Sequence, residues 1–308
     1  MLGQGHRDGL GLSGSIHEPY LRGEIYEEPE RQDRCHYRRS LWHREGTAVN
    51  LAGEGCHVAI SDVNEAGLKE TADMAHIRDV RVTTHVVDVA NCERVESYAD
   101  EVVKEHGGVH LLINNAGVGV AETLEDLRYE DFEWLMGINL WGVIYGCKAF
   151  LPYLKQQARA HIVNISSVNG IFTNPNNGAY CTSKFAVRGF TETLIQEMKD
   201  TTVKVSCVHP GGIKTNIVRN ARFHKGADSS LSKDEVAALF DRLIAHTSAD
   251  KAARIIVAGI KKDKQRIIVG PDAYVYDWLK RLFPVGLQRL MSTKEVPAWM
   301  KKKIDKRL

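Results

Sequence analysis

Between about residue 46 and residue 270, short apolar segments alternate with longer segments whose apolar residues recur at helical spacing. The apolar segments are five to eight residues long and nearly continuous, as is typical of strands buried on both faces of a parallel sheet. This alternation predicts an α/β fold, a doubly wound parallel sheet with helices on both faces. Ligands bind beyond the carboxyl ends of the strands in such folds. The predicted strands are 57–61, 80–87, 109–113, 161–165 and 203–208.

The chain divides into three predicted regions. Residues 1–45 are rich in Gly, Arg, Glu and His and have little apolar periodicity, which predicts an atypical, disordered leader. Residues 46–270 form the Rossmann-like domain. Residues 271–308 are predicted to be a helical extension with many Lys and Arg. The apolar face of that amphipathic extension is formed by Tyr274, Trp278, Leu282, Phe283, Leu287 and Leu290.

Composition excludes several other classes of protein. The chain has 308 residues, 43% hydrophobic and 26% charged, which is ordinary for a globular protein, and its net charge of +2 gives no reason to expect nucleic acid as a partner. The six cysteines are scattered without a Cys-x-x-Cys pair, which favours reduced thiols in the cytoplasm. The histidines show no metal spacing, so no metal site is predicted. No secretory signal and no apolar run of ~20 residues are recognisable.

Tyr180 and Lys184 are four residues apart in a predicted helix, which places both side chains on one face. An ammonium group beside a phenol favours the phenolate, and we expect it to lower the tyrosine pKa by roughly 1–3 units. A phenol tuned in this way can act as a general acid or base. A lone Tyr-x-x-x-Lys pair occurs by chance on many exposed helices, so its meaning depends on the motifs around it.

Those motifs resemble the short-chain dehydrogenase/reductase family. They are Asn114-Asn115-Ala116-Gly117, Asn139 within Ile-Asn-Leu-Trp-Gly, Ile165-Ser166-Ser167, the Tyr180/Lys184 pair, and Pro210-Gly211. Their order and spacing match the family pattern over about residues 46–270.

The resemblance implies a catalytic role for four residues. Ser167, thirteen residues before the tyrosine, would polarise the substrate carbonyl, and Tyr180 would pass the proton. Lys184 would lower the pKa of Tyr180 and hold the ribose hydroxyls of a nicotinamide cofactor. Asn139 would tie a water molecule to the lysine and complete a proton relay.

Further residues would contact the cofactor by the same resemblance. The turn at Asn115, Ala116 and Gly117 would let the backbone approach its adenosine side, since glycine permits close contact. Asp88 would hydrogen-bond the adenine region. The nicotinamide would be lined by Pro210, Gly211 and Thr215.

Asp62 bears on the choice between NAD and NADP. An acidic residue at the end of the second Rossmann strand accepts hydrogen bonds from the ribose 2′-OH and repels a 2′-phosphate. This favours NAD over NADP. The alternative is that Asp62 only caps the helix that begins near Asn64.

The family's glycine-rich turn, Thr-Gly-x-x-x-Gly-x-Gly, is missing from this sequence. Large basic and aromatic residues stand at 37–45 instead, and they cannot form a tight turn whose N–H groups cradle phosphate. Cofactor affinity of the chain should therefore be badly impaired.

A shift in reading frame would account for the missing turn. Codons permitted for residues 34–46, read one base forward, allow Ala-Ala-Ile-Thr-Gly-Ala-Ala-Ser-Gly-Ile-Gly-Arg-Gly. Its three motif glycines fall under Arg38, Trp42 and Arg44 with the family spacing. This hypothesis predicts a one-base insertion or deletion near codons 45–47 and the loss of the first strand together with the turn. The alternative is a natural leader that replaces the turn.

The resemblance implies an NAD(H)-dependent oxidoreductase that interconverts an alcohol and a carbonyl compound. The aromatic-rich extension favours a lipophilic substrate such as a steroid, a retinoid or a long-chain alcohol, and residues 216–250 should line the same pocket. A non-catalytic scaffold that has lost its cofactor is the alternative.

Two further interactions are expected. Helices 132–157 and 183–198 commonly pair between subunits in this family, which implies a homodimer or homotetramer. The basic extension could contact a membrane peripherally, or it could close over the active site as a lid or simply pack on the domain.

Overall fold

A computed structural model describes residues 43–76, 80–222 and 233–291. The predicted leader, apart from its last three residues, lies outside the described residues, and so do residues 292–308 of the predicted extension. The division into three regions therefore stays a prediction.

The described chain contains six strands and ten α-helices. The strands are β1 Val58–Asp62, β2 Val82–Val86, β3 Leu111–Asn114, β4 Ala160–Ile165, β5 Val203–Pro210 and β6 Arg266–Val269. The helices are α1 His43–Gly53, α2 Glu65–Ala75, α3 Cys92–His106, α4 Tyr129–Met136, α5 Gly142–Leu154, α6 Gly178–Glu197, α7 Lys233–Leu243, α8 Ala249–Lys261, α9 Pro271–Leu282 and α10 Pro284–Met291.

All strand pairs are parallel, and the strands form two sheets. One has the order β1-β2 and the other β3-β4-β5-β6. Within the described ranges, no strand lies between β1 and β3, although both strands border the same cavity. The residues that would precede α1 lie outside the described residues, so the loss of a first strand stays a prediction.

Helices cover both faces of the larger sheet, so the predicted α/β fold is confirmed. Strand β4 is buried along its whole length. Its Ile162 packs with residues of α3, α5 and α6, whereas the neighbouring Val163 points to the opposite face and packs against α8. Burial on both faces explains why apolar and polar residues do not alternate along β4, whose two polar residues, His161 and Asn164, are buried as well.

Local sequence signals set several helix boundaries. Asn64, Asn91 and Ser248 cap α2, α3 and α8, and each side chain accepts a hydrogen bond from a backbone N–H in the first turn. Helix α3 ends at Gly107, whose φ of 78° is a left-handed conformation that glycine adopts without strain.

The predicted long helix at 132–157 corresponds to α4 and α5, which are joined by a π-helical turn at Gly137–Trp141. By length and composition alone, Tyr129–Leu154 could cross a membrane. A buried core helix meets the same criterion, and this stretch packs Leu135, Phe150 and Leu154 into the interior.

Candidate active site

A cavity of about 1770 Å³ lies at the carboxyl ends of the strands. It exceeds the roughly 300–1,000 Å³ of an ordinary ligand pocket because it continues between the facing edges of β1 and β3. Eleven of the twelve predicted site residues line it: Asp62, Asp88, Asn115, Ala116, Gly117, Ser167, Tyr180, Lys184, Pro210, Gly211 and Thr215.

Helix α6 presents Tyr180 and Lys184 to this cavity. The Lys184 ammonium nitrogen Nζ lies 5.7 Å from the centroid of the Tyr180 ring and donates a 3.0 Å hydrogen bond to the Ile165 carbonyl oxygen. Lys184 is buried and Tyr180 is half-buried. The helix therefore brings the two groups together, as the spacing predicts.

The predicted lowering of the tyrosine pKa is wrong. Burial raises the pKa of Tyr180 to about 12, although a hydrogen bond with the Ser167 side chain opposes this shift. Burial also lowers the pKa of Lys184 to about 8, because the ammonium group has lost its hydration. Four-residue spacing indicates proximity, but it carries no information on how much water each group loses.

Ser167 caps a single turn of 3-10 helix, Val168–Gly170, which follows β4 directly. Its Oγ accepts a 3.1 Å hydrogen bond from the Asn169 N–H. The neighbouring Ser166 points away and donates to the Lys184 carbonyl oxygen at 2.8 Å. Both serines border the cavity, and Ser167, the predicted member of the pair, is the one whose side chain hydrogen-bonds Tyr180.

Gly170 lets this turn pack tightly on α6. A Cβ at this position would lie 2.4 Å from Ser166 Oγ and 2.7 Å from the Lys184 carbonyl oxygen, which no real side chain tolerates. The close approach holds Ser167 next to the tyrosine helix.

His209 supports Ser167 from the neighbouring strand β5. Its Nδ1 lies 3.1 Å from the Ser167 carbonyl oxygen, and its side chain is fully buried. Burial lowers the pKa of His209 to about 4, so the ring is neutral near pH 7. It contacts the serine backbone and is not among the residues that line the cavity, so it shapes the site from behind Ser167.

Asn139 is the predicted site residue that does not line the cavity. It is fully buried in the π-helical turn. Its Oδ1 accepts from the Val118 N–H at 2.8 Å, and its Nδ2 donates to the Val118 carbonyl oxygen at 3.0 Å and to Ser183 Oγ at 3.1 Å. Asn139 therefore ties the segment after β3 to α6; π turns of this kind recur at functional sites.

Asp62 is the last residue of β1, and Asp88 lies just beyond the end of β2. Asp62 Oδ1 accepts a 2.6 Å hydrogen bond from the Asn64 N–H, and Asp88 Oδ1 accepts a 2.9 Å bond from the Ala90 N–H. The cap of α2 is Asn64 itself, through a 3.2 Å bond from the Gly67 N–H. Capping alone therefore does not account for Asp62, which also faces the cavity.

The remaining predicted contacts follow two other strands. Gly117 comes after β3, and a Cβ there would lie 3.5 Å from Lys184 Nζ and 3.4 Å from Asn139 Oδ1, so glycine keeps the space beside the ammonium open. After β5, the Gly211 N–H donates to the Val269 carbonyl oxygen at 2.9 Å, and Thr215 Oγ1 accepts from the Ile217 N–H at 3.5 Å.

Asp272 is a site residue that the sequence analysis missed. It lies in the first turn of α9, lines the cavity, and accepts a 2.6 Å hydrogen bond from the Gly212 N–H. The contact joins positions 60 residues apart in the chain. Its only local signal was the Gly-Pro-Asp start of a helix, which is equally typical of an ordinary N-terminal turn.

The described polar groups suit the sugar hydroxyls of a dinucleotide. The Asp62 and Asp88 carboxylates can accept hydrogen bonds from such hydroxyls, and the Lys184 ammonium group can donate to them. Residues 34–42, where a phosphate-binding turn is expected, lie outside the described residues. In the described ranges, no group of three or more His, Cys, Asp or Glu side chains could hold a metal ion.

Comparison with known proteins decides the family. The family model for short chain dehydrogenases matches residues 45–226. The chain belongs to the short-chain dehydrogenase/reductase family. The match begins just after the position of the missing glycine-rich turn.

Two relatives of this short-chain dehydrogenase are themselves named as oxidoreductases. SadH of Mycobacterium tuberculosis is 41% identical over 247 residues, which is 80% of this chain and 88% of that protein. A 3-ketodihydrosphingosine reductase of Bacteroides thetaiotaomicron is 34% identical over 198 residues, covering 62% of this chain and 74% of the reductase. The chain is thus an oxidoreductase of the short-chain type.

A solved structure shows the same fold. It is the crystal structure of a short-chain dehydrogenase/reductase from Burkholderia phymatum in complex with NAD, with a TM-score of 0.73 and 29% sequence identity over 80% of this chain and 91% of that one. The cofactors of this family are NAD and NADP.

Proposed function

We propose that this short-chain dehydrogenase transfers a hydride between NAD(H) and a lipophilic alcohol or carbonyl compound. The proposal rests on one observation: Ser167, Tyr180 and Lys184 converge in a single cavity beside the Asn115–Gly117 turn. A hydroxyl, a phenol and an ammonium group in this arrangement match the needs of a reaction in which a substrate oxygen gains or loses a proton.

The chain's own groups handle the substrate oxygen and its proton. In the direction of reduction, the Ser167 hydroxyl donates a hydrogen bond to the carbonyl oxygen, and the Tyr180 hydroxyl delivers the proton as the alcohol forms. When bound, the nicotinamide supplies or accepts the hydride. The positive charge of Lys184 stabilises the phenolate that Tyr180 becomes after giving up its proton.

Asn139 acts in this scheme as a positioning residue. Its three hydrogen bonds to Val118 and Ser183 hold the segment after β3 against α6. A water molecule between Asn139 and Lys184, as the family resemblance implies, would need Asn139 Oδ1 to accept a second hydrogen bond. A carbonyl-type oxygen has two lone pairs, so this is chemically allowed.

Asp62 favours NAD over NADP. Its carboxylate faces the cavity at the end of β1, where a negative charge would repel a 2′-phosphate. Asp88 would contact the adenine region from the end of β2, and Pro210, Gly211 and Thr215 would lie against the nicotinamide.

The lipophilic substrate class is supported by the cavity wall near Ser167. Phe172, Tyr276 and Met291 line that side, and the rings of Phe172 and Tyr276 stack with centroids 4.3 Å apart. Apolar and aromatic walls favour a hydrocarbon-rich ligand. The similarity to a reductase named for a long-chain sphingoid ketone points in the same direction.

A homodimer or homotetramer belongs to the same proposal. Trp141, 49% exposed, and Phe185, 37% exposed, lie on the two helical segments that the family resemblance assigns to subunit contacts. Light scattering of the purified chain tests this, since a monomer at micromolar concentration would contradict it.

Measurement of NADH oxidation distinguishes the proposed enzyme from a non-catalytic scaffold. The turn-restored chain, in which residues 34–46 are replaced by the thirteen-residue shifted-frame sequence, should oxidise NADH when long-chain ketones or aldehydes are supplied. Tyr180→Phe should lower that rate by about 10²–10⁴-fold, whereas Tyr129→Phe, at an exposed position, should not change it. Equal rates in the two variants would contradict the proposal.

A further inference from the structure

Helices α9 and α10, here called the C-terminal helix pair, carry apolar residues on two sides. The inner side of α9 presents Ala273, Tyr276 and Leu279, which pack against Val168 and Phe172. This packing involves only the inner side of α9, so it does not require apolar residues on the outer side. A globular surface helix normally has a polar outer face, so an apolar one calls for a binding partner.

The outer side of the helix pair is strongly apolar and exposed. Trp278 is 63% exposed, and Tyr274 and Leu282, one turn before and one turn after it, are 58% and 51% exposed. Val275, Phe283 and Val285 extend the same patch, each more than half exposed. Nearly half of the large apolar side chains that are exposed in the described part of the chain lie between Tyr274 and Val285. A patch of this kind marks an interaction surface.

The patch carries positive charge at its edge, and the C-terminal sequence has an excess of it. Arg281 and Arg289 are exposed on the helix pair, and Arg281 also pairs with Asp277. Residues 271–308 contain nine Lys or Arg against four Asp or Glu, and the last eight include Lys301, Lys302 and Lys303 in succession. Two of the acids, Asp272 and Asp277, are already engaged with Gly212 and Arg266.

We propose that the outer side of the C-terminal helix pair docks on an anionic lipid membrane. Aromatic and aliphatic side chains on one face with Lys and Arg around them are the features of a helix that lies in the plane of a lipid interface. Each basic residue near an anionic surface adds to the attraction. A second copy of the chain fits less well, because two surfaces with the same excess of positive charge repel each other.

The position of the helix pair links the membrane to the cavity. Tyr276 and Met291 line the cavity from the inner side of the pair, while Trp278 and Leu282 face outward. A lipophilic substrate dissolved in the bilayer would thus lie next to the cavity wall. This link to substrate delivery rests on the proposed function; the membrane contact itself does not.

Co-sedimentation of the full chain with vesicles tests the proposal. Vesicles of phosphatidylcholine containing phosphatidylserine should bind the chain, and vesicles of phosphatidylcholine alone should bind it at least about tenfold less. Trp278→Glu should reduce binding to the anionic vesicles by at least about tenfold, because it places a charge in the apolar face. Tyr129→Glu, at a position 85% exposed elsewhere on the surface, should bind like the unchanged chain.

Four outcomes would overturn the proposal. The first is that the chain does not bind anionic vesicles, and the second is that it binds both kinds of vesicle equally. The third is that Trp278→Glu does not reduce binding. The fourth is that the chain does not bind vesicles but self-associates, and that Trp278→Glu abolishes the self-association. Circular dichroism of each variant shows whether it is folded, and Tyr274→Ser with Leu282→Ser gives a second, uncharged disruption of the same face. Since no turnover is measured, failure here leaves the proposed function untouched.

Discussion

The Lys184 ammonium nitrogen lies 5.7 Å from the centroid of the Tyr180 ring, yet the phenol has a raised pKa of about 12 and the ammonium group a lowered pKa of about 8. Both shifts have burial as their first cause. Proximity to Lys184 has therefore not lowered the pKa of Tyr180.

The lowered pKa of Lys184 predicts a rise in stability in weakly alkaline solution. The folded state gives up this proton near pH 8, whereas an unfolded chain keeps it until about pH 10.5. Between these values the unfolded chain binds more protons, so the free energy of unfolding rises with pH. Between about pH 7.5 and about pH 9.5, the free energy of unfolding of Lys184→Met should increase by about 1–2 kcal/mol less than that of the unchanged protein.

Urea unfolding of both proteins at the two pH values measures this difference. Comparison with the variant is needed because the buried thiols of Cys147 and Cys207, each with its pKa raised to about 12, act in the opposite direction. Identical pH dependence in the two proteins would show that Lys184 titrates normally.

Two buried neutral histidines predict lability to acid. Burial lowers the pKa of His161 and of His209 to about 4, so between pH 4 and about pH 6.5 the unfolded chain binds more protons and stability falls as the pH falls. When the pH falls from about 7.5 to about 5.5, each histidine should lower the free energy of unfolding by about 1 kcal/mol. In urea unfolding, His209→Gln should reduce this loss of stability by about the contribution of one histidine, and His110→Gln, at an exposed position, should leave it unchanged.

Asn139→Ala should destabilise the fold as well as slow the reaction. Removing the side chain leaves the N–H and the carbonyl oxygen of Val118 without their partner, which costs about 1–3 kcal/mol. Ser183→Ala removes only one of the three bonds and should cost about 1 kcal/mol. A thermal melt of Asn139→Ala that matches the unchanged protein would show that the residue has no positioning role.

Asp62→Ala tests the basis of cofactor choice. In the turn-restored chain, the ratio of activity with NADPH to activity with NADH should rise at least about tenfold, because a negative charge near the 2′-position has been removed. Asp73→Ala, at an exposed position on α2, is the matched control. An unchanged ratio would mean that Asp62 does not determine cofactor choice.

Strong local patterns were sufficient to predict much of the fold. Helix α3 runs from Cys92 to His106, and Asn91 and Gly107, which mark its two ends, are visible in the sequence. The strand predicted at 161–165 is observed as β4, Ala160–Ile165. The family is likewise as expected. Motif spacing also brought eleven of the twelve candidate residues to one cavity.

Other features depend on contacts that no local pattern encodes. The π-helical turn at Asn139 reads as ordinary helix, and the hydrogen bond from the Gly212 N–H to Asp272 joins distant segments. The direction of the Tyr180 pKa shift depends on burial by several elements at once. Helices α7 and α8 and strand β6 were not predicted individually, and only residues 216–250 were considered, as a wall of the pocket.

The central claim is that this cavity is a dinucleotide site whose phosphate-binding turn is missing from the chain. Titration with NADH, followed by energy transfer from protein fluorescence to the bound nicotinamide, tests it most directly. The turn-restored chain should bind saturably in the micromolar range, and the chain with its present residues 34–46 should not. Saturable binding by the latter would mean that residues 1–45 provide a substitute cradle, which contradicts the frameshift hypothesis. Failure of a folded turn-restored chain to bind NADH would contradict the account as a whole.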